Sequence, residues 1–277
     1  MTVERIELRE AIVRNRRVSF IEAGQGFPVI LLHGWPLSKE SFASVVTVLA
    51  ETRRALALDL PGFGSSEPLS ERHSYPNLAG AVVHFLDSQK IDKADIAGVS
   101  FGGSLALELA RIYPERVQRL VVNSPPLFFY DKLSPGQKLT LLLVDSFPIL
   151  KNILYRRYVA GSAVAFRLIF GRGANISDER IRPLFEIARR VRLRILDETA
   201  HELVWTDLRP RVSLVRAPTL VLIGGREGRF FRKQSEYLVK NLPNARPLEV
   251  IPEANHLLAV NRPQEFALRV NRFLEED

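Results

Sequence analysis

Between Ala94 and Ala110 the chain reads ADIAGVSFGGSLALELA: an apolar run ends at Ser100, and helical spacing begins at Phe101. A strand that becomes a helix within one residue leaves few folds open. It calls for a sheet buried on both faces and a helix that packs back over it. The chain repeats the pattern. Apolar runs at PVILLHG (28–34), RRALALDLPG (53–62), VQRLVVNS (117–124), PTLVLIGG (218–225) and RPLEVIPEA (246–254) alternate with helical spacing over 38–51, 77–89, 101–113, 230–241 and 263–276. Two strand-like runs, 5–13 and 17–23, come first and read as an antiparallel pair. The pattern predicts an α/β fold, with a mostly parallel sheet of eight strands and helices on both faces.

The alternation pauses after the sixth strand. This divides the chain into a core, 1–125 and 218–277, and an inserted helical cap, 126–217. Within the insert, Ile181, Leu184, Phe185, Ala188, Val191 and Ile195 share one helical face. Ser177 suits the N-cap of that helix, and Asp178 and Glu179 its first turn. Ser38 is a second candidate N-cap, for the helix over 38–51. Ligands of open α/β sheets bind beyond the carboxyl ends of the strands, where this insert would roof the site.

The chain has no cysteine, which excludes disulfides, thiolate catalysis and cysteine-ligated metals. Its first 20 residues are charged and alternating, with no apolar leader, and no apolar run is long enough to span a bilayer. A cytoplasmic location is therefore expected. The net charge of +8 is concentrated between Asp131 and Arg211, where 15 Lys and Arg face 9 Asp and Glu. Two readings fit: a basic rim that attracts anionic substrates, or a solvated helix face. The second is favoured, because acids are interleaved and no nucleic-acid motif is present.

G-x-S-x-G at a strand-to-helix junction is the pattern of a nucleophile elbow. The turn is so tight that Gly98 and Gly102 are needed to avoid neighbouring backbone, and Ser100 is thrust out of the sheet. A serine hydroxyl needs a base, and the base an orienting acid. On such a sheet the order is nucleophile, acid, base. Of the five histidines (His33, His73, His84, His201 and His256), His33 and His256 directly follow core strands. His33 comes too early and reads as a structural hydrogen bonder, so His256 is the expected base. The loop GGREGRFF after the seventh strand offers one carboxylate, Glu227, as the acid. The sixth strand ends in NSPP, with Asn123 and no acid, and Asp131 and Asp145 are fallbacks within the insert. Two backbone N–H groups, of Phe101 at the helix start and of Trp35 in HGWP, are the expected oxyanion donors. Trp35 also suits a pocket wall. Phe128, Phe129, Phe147, Phe166, Phe170 and Leu257 are candidate lining, with core packing an equal alternative for the insert's phenylalanines.

HGWPLSKESF, DLPGFGSSE, GVSFGGS, YPERVQRLVV, PTLVLIGG and NHLLAVNRPQEF, in this order, resemble the α/β-hydrolase superfamily. The likeness covers nearly all of the chain outside the insert. It is closest in character to capped serine hydrolases: bacterial esterases, perhydrolases and meta-cleavage-product hydrolases. The resemblance implies an α/β-hydrolase fold, no metal and no cofactor. It implies a small-molecule ester substrate with an apolar acyl or aryl group, cleaved through an acyl-enzyme. The alternatives are carbon–carbon bond hydrolysis of a vinylogous diketone acid, acyl transfer or perhydrolysis, and ligand binding on a vestigial triad. Epoxide hydrolases and haloalkane dehalogenases use an aspartate nucleophile where this chain has Ser100. Three positions depart from the family pattern: Glu227 for aspartate, Asn255 for the glycine before the histidine, and GRFFR after the acid.

Overall fold

The computed structural model describes residues 5–139, 179 and 181–276. Eight strands form one sheet: β1 (Glu7–Val13), β2 (Arg16–Ala23), β3 (Pro28–Leu32), β4 (Arg54–Leu58), β5 (Ala94–Val99), β6 (Val117–Asn123), β7 (Thr219–Gly224) and β8 (Glu249–Ile251). Their order is β1-β2-β4-β3-β5-β6-β7-β8. β2 runs antiparallel to both its neighbours, and every other pairing is parallel. Arg14 and Asn15, both at positive φ (50° and 61°), make the two-residue turn between β1 and β2. A turn of that hand matches the twist of the strands it joins.

Side chains alternate across the pleat, so each central strand feeds two cores. On β3, Ile30 and Leu32 join one cluster with α2 (Tyr75–Ser88) and α3 (Phe101–Ile112), through Leu78, Val82, Phe85 and Leu105. Val29 and Leu31 join the other, with α1 (Ala43–Leu49) and the last helix, through Val46, Leu49, Phe266 and Val270. All four β3 residues are fully buried, as a strand covered on both faces must be.

Beyond β6 the described residues give α4 (Ile181–Ala188), α5 (Leu193–Trp205), α6 (Arg229–Asn241), α7 (Leu258–Asn261) and α8 (Pro263–Leu274). The single apolar stripe expected from Ile181 to Ile195 is therefore carried by two helices. Between them, Arg190 and Val191 donate N–H bonds three residues back, and Arg192 is extended at ψ 140°. Leu184, Ala188 and Ile195 are nonetheless all buried. Periodicity records which residues face the core, and a short break need not disturb it. Ser177 and Asp178 lie outside the described residues. The helix expected over 38–51 also differs. It opens as a 3₁₀ turn, Lys39–Phe42, and the Ser38 hydroxyl makes no capping bond; the Ser38 carbonyl instead accepts from the Ser41 N–H and hydroxyl at 3.1 and 2.7 Å.

α5 is bound to the core by polar contacts. The Trp35 indole donates to Thr199 at 2.9 Å, and Glu198 accepts from both the ring and the backbone N–H of His73 at 2.7 and 2.9 Å. Between β6 and β7, the Leu208 N–H donates to the Leu127 carbonyl at 2.8 Å. No helix among the described residues is long and apolar enough to cross a membrane.

Candidate active site

Ser100 sits between β5 and α3 with φ 53° and ψ −116°, a backbone conformation that non-glycine residues rarely adopt. Its surroundings hold it there. A Cβ on Gly98 would lie 2.2 Å from the Gly102 carbonyl oxygen, and one on Gly102 would lie 2.1 Å from that of Leu32. The Ser100 N–H donates to the Asn123 carbonyl at 2.8 Å, which ties the elbow to the end of β6. The side chain remains partly exposed.

The last two parallel strands deliver the partners. His256 follows β8 and is 4% exposed; its Nε2 lies 3.0 Å from Ser100 Oγ. Its Nδ1 lies 2.8 Å from Glu227 Oε2, in the loop after β7. Glu227 reaches that point from a turn in which its N–H donates back to the Gly224 carbonyl. Its other oxygen accepts from the Ser124 hydroxyl at 2.5 Å and the Gly224 N–H at 3.0 Å. Burial pushes the Glu227 carboxyl up. The charge and hydrogen bond of His256 outweigh it, with the Ser124 and Gly224 bonds, so the pKa falls below the usual carboxylate value. Phe231, in the first turn of α6, stacks on the imidazole with ring centroids 4.1 Å apart. Asn255 organises the turn beyond His256, its oxygen accepting from the Leu257 N–H at 3.0 Å and the Asn261 amide at 2.6 Å.

The HGWP loop lies against the elbow: a Cβ on Gly34 would be 3.4 Å from Ser100 Cβ. The N–H groups of Trp35 and Phe101 donate no bond within the protein among the described residues. Phe101 opens α3, and the first N–H groups of a helix have no intrahelical acceptor. His33 is buried and bonded on both ring nitrogens, Nδ1 to the Gly34 carbonyl and Nε2 from the Leu60 N–H, each at 3.0 Å. Burial lowers its pKa, and those bonds fit the neutral tautomer. Beside it the buried Asp59 accepts from the Lys39 N–H, the Lys39 ammonium and the Ser65 N–H at 2.7–2.8 Å. Trp35 is 9% exposed, and its ring is anchored on α5.

Of the other expected residues, Leu257 is buried directly after His256. Phe129 meets Phe230 edge to face at 5.6 Å, and Phe230 meets Phe231 at 5.0 Å. Phe128 lies under the Arg209 guanidinium at 4.8 Å. Phe147, Phe166, Phe170 and Asp145 lie outside the described residues. Asp131 pairs with Arg209 at 2.7 Å and takes no part at His256. Sequence reasoning missed Ser124 and Phe231. Ser124 was within reach of it, because a polar residue at the end of β6 faces whatever follows its neighbour β7. A groove of about 400 Å³ beside Val13, Arg16 and Leu69 is lined by none of Ser100, Glu227 and His256. No group of three potential ligands for a metal occurs among the described residues.

The family model of the alpha/beta hydrolase fold matches residues 28–263. A 2-hydroxy-6-oxo-6-phenylhexa-2,4-dienoate hydrolase of Burkholderia cepacia is 31% identical, over 91% of this chain and 88% of that protein. A pimeloyl-(acyl-carrier protein) methyl ester esterase of Aeromonas hydrophila is 29% identical, over 93% of this chain and 99% of its own. Among solved structures, a bromoperoxidase of Bacillus anthracis superposes with a TM-score of 0.80, covering 98% of this chain and 100% of its own at 21% identity.

Proposed function

The chain belongs to the α/β-hydrolase family, and on that premise we propose that it hydrolyses carboxylic esters through an acyl-enzyme on Ser100. The unbroken path from Ser100 Oγ through His256 to Glu227, at 3.0 and 2.8 Å, carries the proposal. Glu227 holds the imidazole proton on Nδ1 and leaves the Nε2 lone pair facing the hydroxyl. As Oγ attacks the ester carbonyl, Nε2 takes its proton. The N–H groups of Trp35 and Phe101 receive the negative charge that develops on the carbonyl oxygen. His256 then gives the proton to the departing alcohol. Water, deprotonated by the same nitrogen, attacks the acyl-enzyme, releases the acid and restores Ser100. Phe231 presents an aromatic face to an imidazole that becomes cationic twice in each cycle.

Carbon–carbon bond hydrolysis is the second reading, favoured by the full-length relationship to a dienoate hydrolase. The same triad would serve it, with a carbanion rather than an alkoxide as the group that leaves. The segment 126–217 is proposed as the cap that selects the substrate.

A panel of 4-nitrophenyl esters and one coloured ring-cleavage product, assayed side by side, separates the two readings. Ser100→Ala is expected to abolish turnover of whichever is accepted, and covalent labelling by a fluorophosphonate. Labelling at another residue would falsify the assignment. Binding of both substrate classes without turnover would point to a vestigial site.

A further inference from the structure

Lys132 ends the 3₁₀ turn Phe129–Lys132, on the chain leaving β6. Its ammonium stands over three rings, 5.0 Å from the centroid of Phe129, 5.9 Å from Phe230 and 5.1 Å from Phe231. Phe231 is the ring stacked on His256. The ammonium is therefore no further from the imidazole than the two ring separations laid end to end.

This cation has no anionic partner among the described residues, although it is half-buried. The acids around it are committed elsewhere. Asp131, its neighbour in sequence, is turned to Arg209 at 2.7 Å. Glu227, whose charge reaches Lys132, spends both oxygens on His256, Ser124 and Gly224. Lys39 shows how the same protein treats a buried lysine that serves the fold, since it lies 2.7 Å from Asp59 and 2.9 Å from Glu40. Burial pushes the Lys132 pKa down, with Glu227 partly opposing the shift. A half-buried cation with no carboxylate in contact carries a desolvation cost that an arriving anion would offset. Aromatic faces offset part of that cost, and they also form an apolar wall for the chain that carries the anion.

We propose that Lys132 is the anion-recognising residue of this site, pairing with a carboxylate carried by the substrate a few atoms from the bond that Ser100 attacks. The proposal rests on the hydrolase reading for its chemistry, but not for the binding itself. It makes the preferred substrate an acid-bearing ester or ketone. Selection would come from one half-buried charge against an aromatic wall, rather than from the exposed arginines of residues 182–194.

Two matched pairs of esters test it. Mono(4-nitrophenyl) glutarate against 4-nitrophenyl butyrate places the carboxylate on the acyl side. 4-Acetoxybenzoate against phenyl acetate places it on the leaving side. The wild-type protein should prefer the anionic member of one pair in kcat/KM. Lys132→Met should lose at least about tenfold more on that member than on its neutral match, chiefly through KM. Lys132→Gln, which keeps a polar group but no charge, should do the same and serves if the methionine variant misfolds. Equal losses on both members, or no wild-type preference in either pair, would overturn the proposal. If no ester is turned over, the ester reading has failed, and calorimetry with glutarate decides the question of anion binding separately. Binding that Lys132→Met weakens supports the anion site; equal binding by the two proteins, or none to either, removes it.

Discussion

At the scale of single residues, Glu227 is the most informative of the three that meet at Ser100. Glutamate places its carboxylate one methylene further from the backbone than aspartate. The protein accommodates it with a turn at 224–227 and holds the second oxygen with the Ser124 hydroxyl and the Gly224 N–H. Length and ionisation can be tested apart. Glu227→Gln should lower kcat by about 10³–10⁴, because a neutral amide can present the wrong partner to Nδ1 and favour the wrong tautomer. Glu227→Asp keeps the charge but withdraws it by roughly 1.5 Å, and should cost about 10–100-fold. Steady-state kinetics on one ester check both; an aspartate variant as slow as the glutamine variant would mean that geometry, not charge, is what Glu227 supplies. The depressed Glu227 pKa means the carboxylate stays ionised below its usual range. Ser100, Glu227 and His256 were legible because each follows a readable strand, and chain order restricts which polar residue can meet which. Ser124 and Phe231 were not. Ser124 meets Glu227 across 103 positions of sequence, and the contact exists only because β6 and β7 lie side by side.

At the scale of elements, the core strands were legible from apolar runs that end in glycine or a polar residue, because burial on both faces leaves no other composition. The division of 181–195 into two helices was not, since Arg189, Arg190 and Arg192 are as compatible with a helix as with its interruption. The register of α5 against the core was also invisible. It depends on pairs such as Trp35–Thr199 and His73–Glu198 that share no local pattern. The second pair gives a prediction. Burial raises the Glu198 carboxyl, but bonds from Arg194 and from the backbone and ring of His73 bring it down to about 2. Burial also lowers the His73 pKa, so at neutral pH the histidine acts as a hydrogen-bond donor more than as a charge. An acid with a depressed folded-state pKa stabilises above its unfolded value, and that contribution is lost as pH falls through the folded one. Glu198→Gln should therefore cost about 1–3 kcal/mol at pH 7, with the deficit shrinking from pH 4.5 towards 2. Urea unfolding across that range reads it; a deficit independent of pH would assign the loss to packing.

At the scale of the whole molecule, Asp95 has the opposite sign. It is fully buried on β5, and burial raises its pKa to about 6 despite Arg53 at 3.2 Å and the charges of Arg119 and Lys93. An acid with a raised folded-state pKa binds its proton more tightly when folded. Its contribution is therefore most favourable at low pH and is lost as pH rises from about 4 to 6. Asp95→Asn should improve its standing against the wild type by about 1–3 kcal/mol between pH 4.5 and 7.5, as measured by urea unfolding at both. An unchanged difference would mean that Arg53 keeps the carboxyl ionised throughout. The sheet that buries Asp95 also sets the terms for the chain between β6 and β7. The Leu127–Leu208 hydrogen bond draws the two ends of that excursion together. Once its base is closed, lengthening such a loop adds only the logarithm of its length to the entropic cost of folding. On the proposed reading, a graft from a relative joined at Leu127 and Leu208 would exchange Lys132 and the Thr199 that anchors Trp35, while Ser100, His256 and Glu227 lie outside the exchanged segment.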